Sequence, residues 1–353
     1  GQANGFAISY GGATPSNPSN SAATEEFQIA PITAAIKSQG QLFYNSTANA
    51  FKETIFDLPA GSWSSGGDLN TARKASSGFG VLTSNIVAGG LTTTILGNVE
   101  SYDGSSWTEI TEMNTPRRSG KGVGSTTAGL IVAGIGTPPS REAKETESWN
   151  GSAWTEVGDI TRPASTQSFG SAGASNTSAI IFGGEPGTTY YVYTEQWDGS
   201  SWTEVNNLNT GRQSPAGFGI VTAAICAGGY SPPAPPGNVV ASNESWDGTN
   251  WTEVNDLNTA RGQQGGSGAF TTGLIYGGNA PPGRQTKTES WNGTSYTELN
   301  DMATSRYEFG YAPNGVSPQG NTGAIVAGGY TTTNVATTEE WDVPLANKTI
   351  TSS

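Results

Sequence analysis

Histidine is absent from the 353 residues, and cysteine occurs once, at Cys226. Without imidazole there is no Ser-His or Cys-His pair, and the commonest metal ligand is missing. A lone cysteine forms no disulfide within the chain, and the apolar "TAAICAGG" around Cys226 marks a small core residue rather than a nucleophile. Positive charge is scarce too: 16 Lys and Arg stand against 29 Asp and Glu, a formal charge of −13, with no basic stripe. Such a chain repels a phosphate backbone, which argues against wrapping nucleic acid. No apolar run approaches a membrane span, and no signal peptide is visible. The chain starts at Gly1 without an initiator Met, which raises the expectation of a processed or excised piece of something longer.

What is abundant is glycine, 50 residues of it, with many Ser, Thr and Asn and few Lys, Glu or Leu. That balance favours strands joined by tight turns, and no stretch has helical periodicity. Hydrophobic content is only 34%, yet 10 Trp, 12 Tyr and 11 Phe concentrate apolar area in few residues. Each aromatic buries roughly 150–250 Å², so a core is within reach.

One phrase recurs: "TESWNGSAWTEVGD" at 146–159, "TEQWDGSSWTEVNN" at 194–207, "NESWDGTNWTEVND" at 243–256 and "TESWNGTSYTELND" at 288–301. Aligning on it gives a unit of four strand-like pieces, as in residues 217–261: "GFGIVT", "AAICAGG", "SNESWDG" and "NWTEVNDLNTAR". A Gly-Gly pair recurs at 89–90, 183–184, 228–229, 277–278 and 328–329, with Gly134-Ile135-Gly136 as a variant and Gly11-Gly12 as an early copy. The second aromatic recurs as Trp63, Trp107, Trp154, Trp202, Trp251 and Tyr296, spaced by 44 to 49 residues, the period of a four-stranded propeller blade. Asp-Gly or Asn-Gly supplies the tight hairpin that pins the register. The aromatics on either side then face each other as a cross-strand pair. Such sheets bury both faces against their neighbours, and radial closure leaves only short edges.

An apolar strand ending in Gly-Gly, an aromatic before Asp/Asn-Gly, a Trp five residues on and an Arg leading into the next unit together resemble the kelch family of β-propellers, over roughly residues 60–342. The family places its Trp six to seven residues on, one point of departure. The wording "ESWNGTSYTELNDMATSR" and its copies is similar to kelch-like arrays of marine bacteriophages, often in virion or tail-fibre genes. The expected fold is all-β, a kelch-like propeller of four-stranded antiparallel blades. Seven Gly-Gly-type strands favour seven blades, with six or eight open. The whole of 1–353 is read as a single propeller, with a repeat array over 39–353. Residues 24–38, "TEEFQIAPITAAIKS", echo 338–353, "TEEWDVPLANKTITSS". Residues 1–38 are therefore irregular N-terminal strands that either close the ring or belong to a preceding tandem unit.

Most catalytic readings fail on residue type. The resemblance extends to galactose oxidase, but its copper site needs His and a Cys cross-linked to Tyr, so that activity does not carry over. Ser245-Trp246-Asp247-Gly248-Thr249-Asn250-Trp251 lacks one residue of the sialidase-type turn. Glutamates recur before the first aromatic (Glu100, Glu147, Glu195, Glu244, Glu289) and after the second (Glu109, Glu156, Glu204, Glu253, Glu298). Paired carboxylates hydrolyse glycosides when two meet across a cleft, but here every unit has them, which favours a structural role. Arg73, Arg117, Arg162, Arg212, Arg261 and Arg306 follow the second aromatic by ten residues, or eight for Arg162. They read mainly as blade-junction ion pairs or carbonyl contacts; the alternative is a guanidinium ring at the channel mouth, suited to carboxylates or acidic sugars. Asx turns explain the Asn and Asp of "VNDLNTAR" better than calcium. No metal and no cofactor is expected.

In an antiparallel blade the second-to-third connections share one end with the connections into the next blade. The former differ from unit to unit: "TPPSREAK" at 137–144, "EPGTTYYV" at 185–192, "YSPPAPPGNVVA" at 230–241, "NAPPGRQTK" at 279–287 and "TTTNVA" at 331–336. Variable loops on a constant scaffold, stiffened by proline, suit binding. Tyr190, Tyr191 and Tyr230 offer amphipathic planes, and Arg141 and Arg284 bidentate donors. The expected function is a noncatalytic binding or structural module of a virion or tail fibre, located on the virion or extracellularly. Its partner would be a host-surface glycan or another virion protein. The alternatives are a secreted bacterial carbohydrate-binding protein, or an enzyme using channel carboxylates. Neither nucleic acid nor a membrane span is expected, and homo-oligomers or tandem propellers fit the resemblance.

Overall fold

The computed structural model describes residues 42–45, 50–56, 58–137, 142–162, 168–185, 190–231, 238–313 and 320–349. Residues 1–38 and Arg141 lie outside them. The chain divides into two compact units, Phe56–Pro344 and a smaller one made of Gly1–Ile55 with Leu345–Ser353. The described part of the smaller unit is a three-stranded sheet in the order Leu42–Asn45, Ala50–Phe56, Leu345–Thr349. Among the described residues no helix is long and apolar enough to cross a membrane.

The larger unit consists of six antiparallel blades. The fourth is representative: Ala216–Ile220, Ala223–Ala227, Asn243–Trp246 and Trp251–Val254 pair in sequence order. Innermost strands touch in a closed cycle, from Ser77–Val81 through Lys121–Ser125, Gly170–Ser175, Ala216–Ile220, Gly265–Ala269 and Gly310–Tyr311 back to the first. The sixth blade takes Gly310–Tyr311, Gly323–Ala327 and Thr338–Asp342 from the end of the array and its outer strand, Ser62–Ser65, from the beginning. Trp341 lies opposite Trp63 in that pairing.

The leading count of seven is thereby corrected to six. Trp63 opens no blade of its own; it completes the blade of Gly328-Gly329, and Gly11-Gly12, the seventh copy counted in the sequence, lies outside the described residues. One strand borrowed across the ring leaves no unpaired edge at the joint.

Each blade carries the cross-strand aromatic pair that the spacing predicts, with ring centroids 4.8 Å apart for Tyr102–Trp107 and 5.8 Å for Trp63–Trp341. The outer aromatic also ties blades together. The indole N–H of Trp202 donates to Thr146 Oγ1 of the preceding blade at 3.0 Å, and Trp251, Trp107 and Trp63 repeat the contact with Thr194, Thr338 and Thr288. A buried indole thus keeps its hydrogen bond while its rings fill the junction. The buried hydrophobics form six clusters, each drawn from two neighbouring blades, so the core is six wedges rather than one centre. Close approach requires glycine where blades meet: a Cβ on Gly273, in the second strand of the fifth blade, would stand 2.3 Å from the Phe218 ring of the neighbouring blade.

Candidate functional site

Blade topology gives the larger unit two ends. At the turn end lie the links between third and fourth strands, where Asp198 Oδ1 accepts the N–H groups of Ser200 and Ser201 at 2.8 and 2.9 Å and Gly199 takes φ 98°. Those donors push the Asp198 carboxyl down to about 2, and the same arrangement does so for Asp103. Described Lys and Arg residues are missing from this end. Outside the six buried ion pairs described below, the described basic residues of the larger unit lie at the opposite, loop end: Lys74, Arg118 and Lys121 leading into or opening an inner strand, and Lys144, Arg284 and Lys287 in or beside a second-to-third connection.

Beneath every second-to-third connection sits a clamp. Arg212, 1% exposed, pairs with Glu244 at 2.7 Å, and its Nη1 donates to the carbonyls of Gly228 and Ser242, where the loop leaves and rejoins the sheet. The Glu244 carboxylate also accepts the backbone N–H groups of Asn209 and Thr210 and the Asn209 amide. Arg73–Glu100, Arg117–Glu147, Arg162–Glu195, Arg261–Glu289 and Arg306–Glu339 repeat the pair. The recurrent "NT" before Arg is therefore a pair of backbone donors, and the Glu before the first aromatic is its acceptor. In the third blade Thr161 and Arg162 supply both N–H groups, which accounts for the shorter spacing there. Burial draws the Arg73, Arg162, Arg261 and Arg306 guanidinium groups down from their ordinary value, opposed by the paired carboxylate. All six guanidinium groups are occupied inside the scaffold rather than turned to the channel mouth. The Cys226 thiol, pushed up to about 12 by burial, belongs to the same interior.

Above the clamp the loop neck is constant while the loop is not. The carbonyl of the second glycine accepts an N–H near the loop's exit in five blades: Leu96 to Gly90, Tyr191 to Gly184, Val240 to Gly229, Gln285 to Gly278 and Val335 to Gly329. Donor and acceptor stand six positions apart in the first case and eleven in the third.

Two residues beyond each clamp arginine, or six in the third blade, the chain turns left-handed without glycine: Ala75, Ser119, Ser168, Ser214, Gln263 and Glu308 have φ between 50° and 58°. Such a conformation costs about 1 kcal/mol or more in a non-glycine residue. Backbone bonds around the axis hold it, Ala75 N to Glu308 O at 2.6 Å, Ser119 N to Ala75 O at 2.7 Å and Gln263 N to Ser214 O at 3.0 Å. These six residues line a recess of about 40 Å³ at the mouth of the channel. That volume holds two or three waters and not a sugar ring.

Around the recess the sixfold regularity breaks. Asn279 Nδ2 donates to the Tyr230 hydroxyl at 3.1 Å, Tyr230 to Gln263 Oε1 at 3.3 Å, and Gln263 Nε2 to Glu308 Oε1 at 3.1 Å. Lys74 Nζ lies 3.2 Å from Glu308 Oε2 and 4.7 Å above the Tyr330 ring, which tilts against Tyr307 with centroids 5.5 Å apart. Burial raises the Tyr230 phenol; the Asn279 donor opposes this, and Tyr307, Glu308 and Tyr190 push the same way as burial. Burial and then Glu308 raise Tyr307, against Lys74 and Arg284.

Of the residues singled out from the sequence, Tyr190, Tyr230 and Arg284 therefore gather at this arc, while Tyr191 stands over the third clamp, its ring 4.9 Å from Tyr193. Lys74, Gln263, Asn279, Tyr307, Glu308 and Tyr330 were not anticipated. Their signal was positional: each sits one or two residues after the clamp Arg or directly after the Gly-Gly pair, where the repeats disagree.

No family model and no curated protein matches the chain. Among solved structures, "Structure of YjhT" superposes with a TM-score of 0.61 at 12% sequence identity, over 79% of this chain and 99% of that one. The fold is a β-propeller. At that identity the likeness concerns the path of the backbone, and the propeller's clamps and arc stand on their own geometry.

Proposed function

We propose that this propeller is a noncatalytic binding module, carried on a virion or tail fibre, that recognises a host-surface glycan or another virion protein through its loop end. The observation that carries this reading is the separation between constant clamp and changing loop. Six buried Arg–Glu pairs hold the loop necks in one geometry, while loop length and composition differ from blade to blade. A rigid neck lowers the entropy lost when the loop meets a partner. The kelch resemblance and the phage-like wording of the repeat support the virion setting. In the larger unit the acidic turn end is free of described Lys and Arg, so its described basic groups outside the clamps share an end with the variable loops.

The test is a glycan array together with a binding panel of purified virion proteins, run on the whole chain and on variants at each end. Binding to one class, lost on Tyr191→Ala or Arg284→Ala and kept on Asp198→Ala, is the expected result. A folded protein that binds neither class, or whose binding is lost only on turn-end substitutions, would falsify the reading. Hydrolysis of an array glycan would move it to the enzyme class.

A further inference from the structure

Donors and acceptors at the channel mouth are unevenly matched. The side-chain acceptors of the recess are taken within the protein. Gln263 Oε1 accepts the Tyr230 hydroxyl, Glu308 Oε1 accepts the Gln263 amide, and Glu308 Oε2 lies 3.2 Å from Lys74 Nζ, so that carboxylate is neutralised where it stands.

The donors lining the same recess are left over. Lys121 forms no ion pair with a described residue, although the chain carries 29 Asp and Glu. Its Nζ donates to the Tyr311 hydroxyl at 3.4 Å and lies 5.1 Å from the centre of that ring. Tyr311 is 6% exposed, and because its oxygen receives the lysine, its own proton remains to be given to another acceptor. The hydroxyls of Ser119, Ser168 and Ser214 make no hydrogen bond with the described residues, and none of the three is sealed from solvent. The ring of backbone bonds sets these serines in place beforehand: Ser119 N–H donates to the Ala75 carbonyl at 2.7 Å, and Ser214 N–H to the Ser168 carbonyl. Little further order is lost when a ligand arrives.

A half-buried ammonium without a counter-charge, surrounded by unclaimed hydroxyls, calls for an anion. Volume selects which. The recess of about 40 Å³ holds two or three waters. The two oxygens of a carboxylate fill the places of two of them, whereas a tetrahedral phosphate needs room for four and brings more charge toward Glu308. The clamp guanidinium groups take no part, being engaged by their glutamates.

We propose that Lys121, Tyr311, Ser119, Ser168 and Ser214 form a binding site for a carboxylate, which enters the recess while the rest of its carrier stays outside among the loops. This rests on the reading of the loop end as the binding end and names the chemical group that it takes.

Calorimetric titration of the whole chain with a methyl uronide, with an acetylated dipeptide bearing a free C-terminus, with the amide of each and with inorganic phosphate tests it. At least one carboxylate binds in the millimolar range, and its amide and phosphate bind at least tenfold more weakly. Preference for the uronide makes a glycan the carrier; preference for the dipeptide makes it a protein. Lys121→Met weakens binding at least tenfold, Lys121→Arg restores most of it, and Tyr311→Phe, which keeps the ring, weakens it severalfold. An amide or phosphate that binds as tightly as the carboxylate, an affinity unmoved by both Lys121→Met and Tyr311→Phe, or no heat with either carboxylate would each overturn the proposal. If the array or the virion panel shows a partner whose binding these variants leave untouched, the carboxylate site falls and the binding-module reading stands. If nothing binds at all, both fall.

Discussion

Two positions in each blade, two residues apart in five of the six, have opposite histories within the repeat. At the first stands Arg in every blade, buried and paired with Glu. At the second stand Ala, Ser, Ser, Ser, Gln and Glu on an almost identical left-handed backbone. The difference is what each side chain faces. A buried guanidinium satisfies a carboxylate and two carbonyls that no other residue type could reach together, so substitution leaves several charged or polar groups unpaired. At the ring the backbone does the holding, and the residue lines a recess where side chains as different as Ala, Ser, Gln and Glu are accommodated. Constancy in this molecule therefore marks the cost of an orphaned buried charge, and variety marks positions where no buried charge has to be satisfied.

The largest expected break in that contrast is at the clamp. Glu244→Ala strands Arg212 and two backbone N–H groups, and should lower stability by about 3–5 kcal/mol in chemical denaturation. The paired change Arg212→Met with Glu244→Leu removes both charges together and should lose clearly less. A single substitution that loses under about 1 kcal/mol would mean the pair is ornamental. Closure comes next. Trp63→Ala removes the indole that joins the first and last strands of the array, with an expected loss of about 2–4 kcal/mol, since the side chain is only partly buried. At the ring the sign reverses: Ser214→Gly relieves a left-handed serine and should leave stability unchanged or raise it by up to about 1 kcal/mol. A loss there would show that the serine side chain, and not the backbone ring, holds the turn.

Acid titration extends the comparison to the turn end. Asp103 and Asp198 are held down to about 2, below the ordinary carboxylate value, by the N–H groups of their own turns. A lowered folded value stabilises above the unfolded value, near 4, and that contribution is lost as pH falls toward 2. Asp103→Asn with Asp198→Asn should flatten the stability profile between those limits by lowering stability at neutral pH, while leaving it close to the parent's near pH 2.

The four-strand unit, the facing aromatics and the end that carries the variable loops were legible in the sequence because each rests on local spacing. The count was less so. Six second aromatics, Trp63 to Tyr296, match the six blades, whereas the Gly-Gly copies number seven once Gly11-Gly12 is included. That a strand at 62–65 pairs with one at 338–342 is a contact across the whole array, which no local pattern records. Glu244 and Arg212 were each noticed as recurrent, yet their partnership spans 32 residues and two loops. The arc was hidden for the opposite reason: Lys74, Gln263, Glu308 and Tyr330 share a place in the fold and nothing in residue type.

Thermal unfolding of a loop exchange tests most directly whether the clamps free the loops from structural duty. Residues 280–287 would be replaced by the sequence of residues 331–337, and the product compared with Glu289→Ala in the same blade. The exchange should melt within about 2 °C of the parent, while Glu289→Ala should fall by roughly 10 °C. An exchange that falls as far as the clamp substitution would contradict the division of this molecule into a fixed scaffold and a readable end.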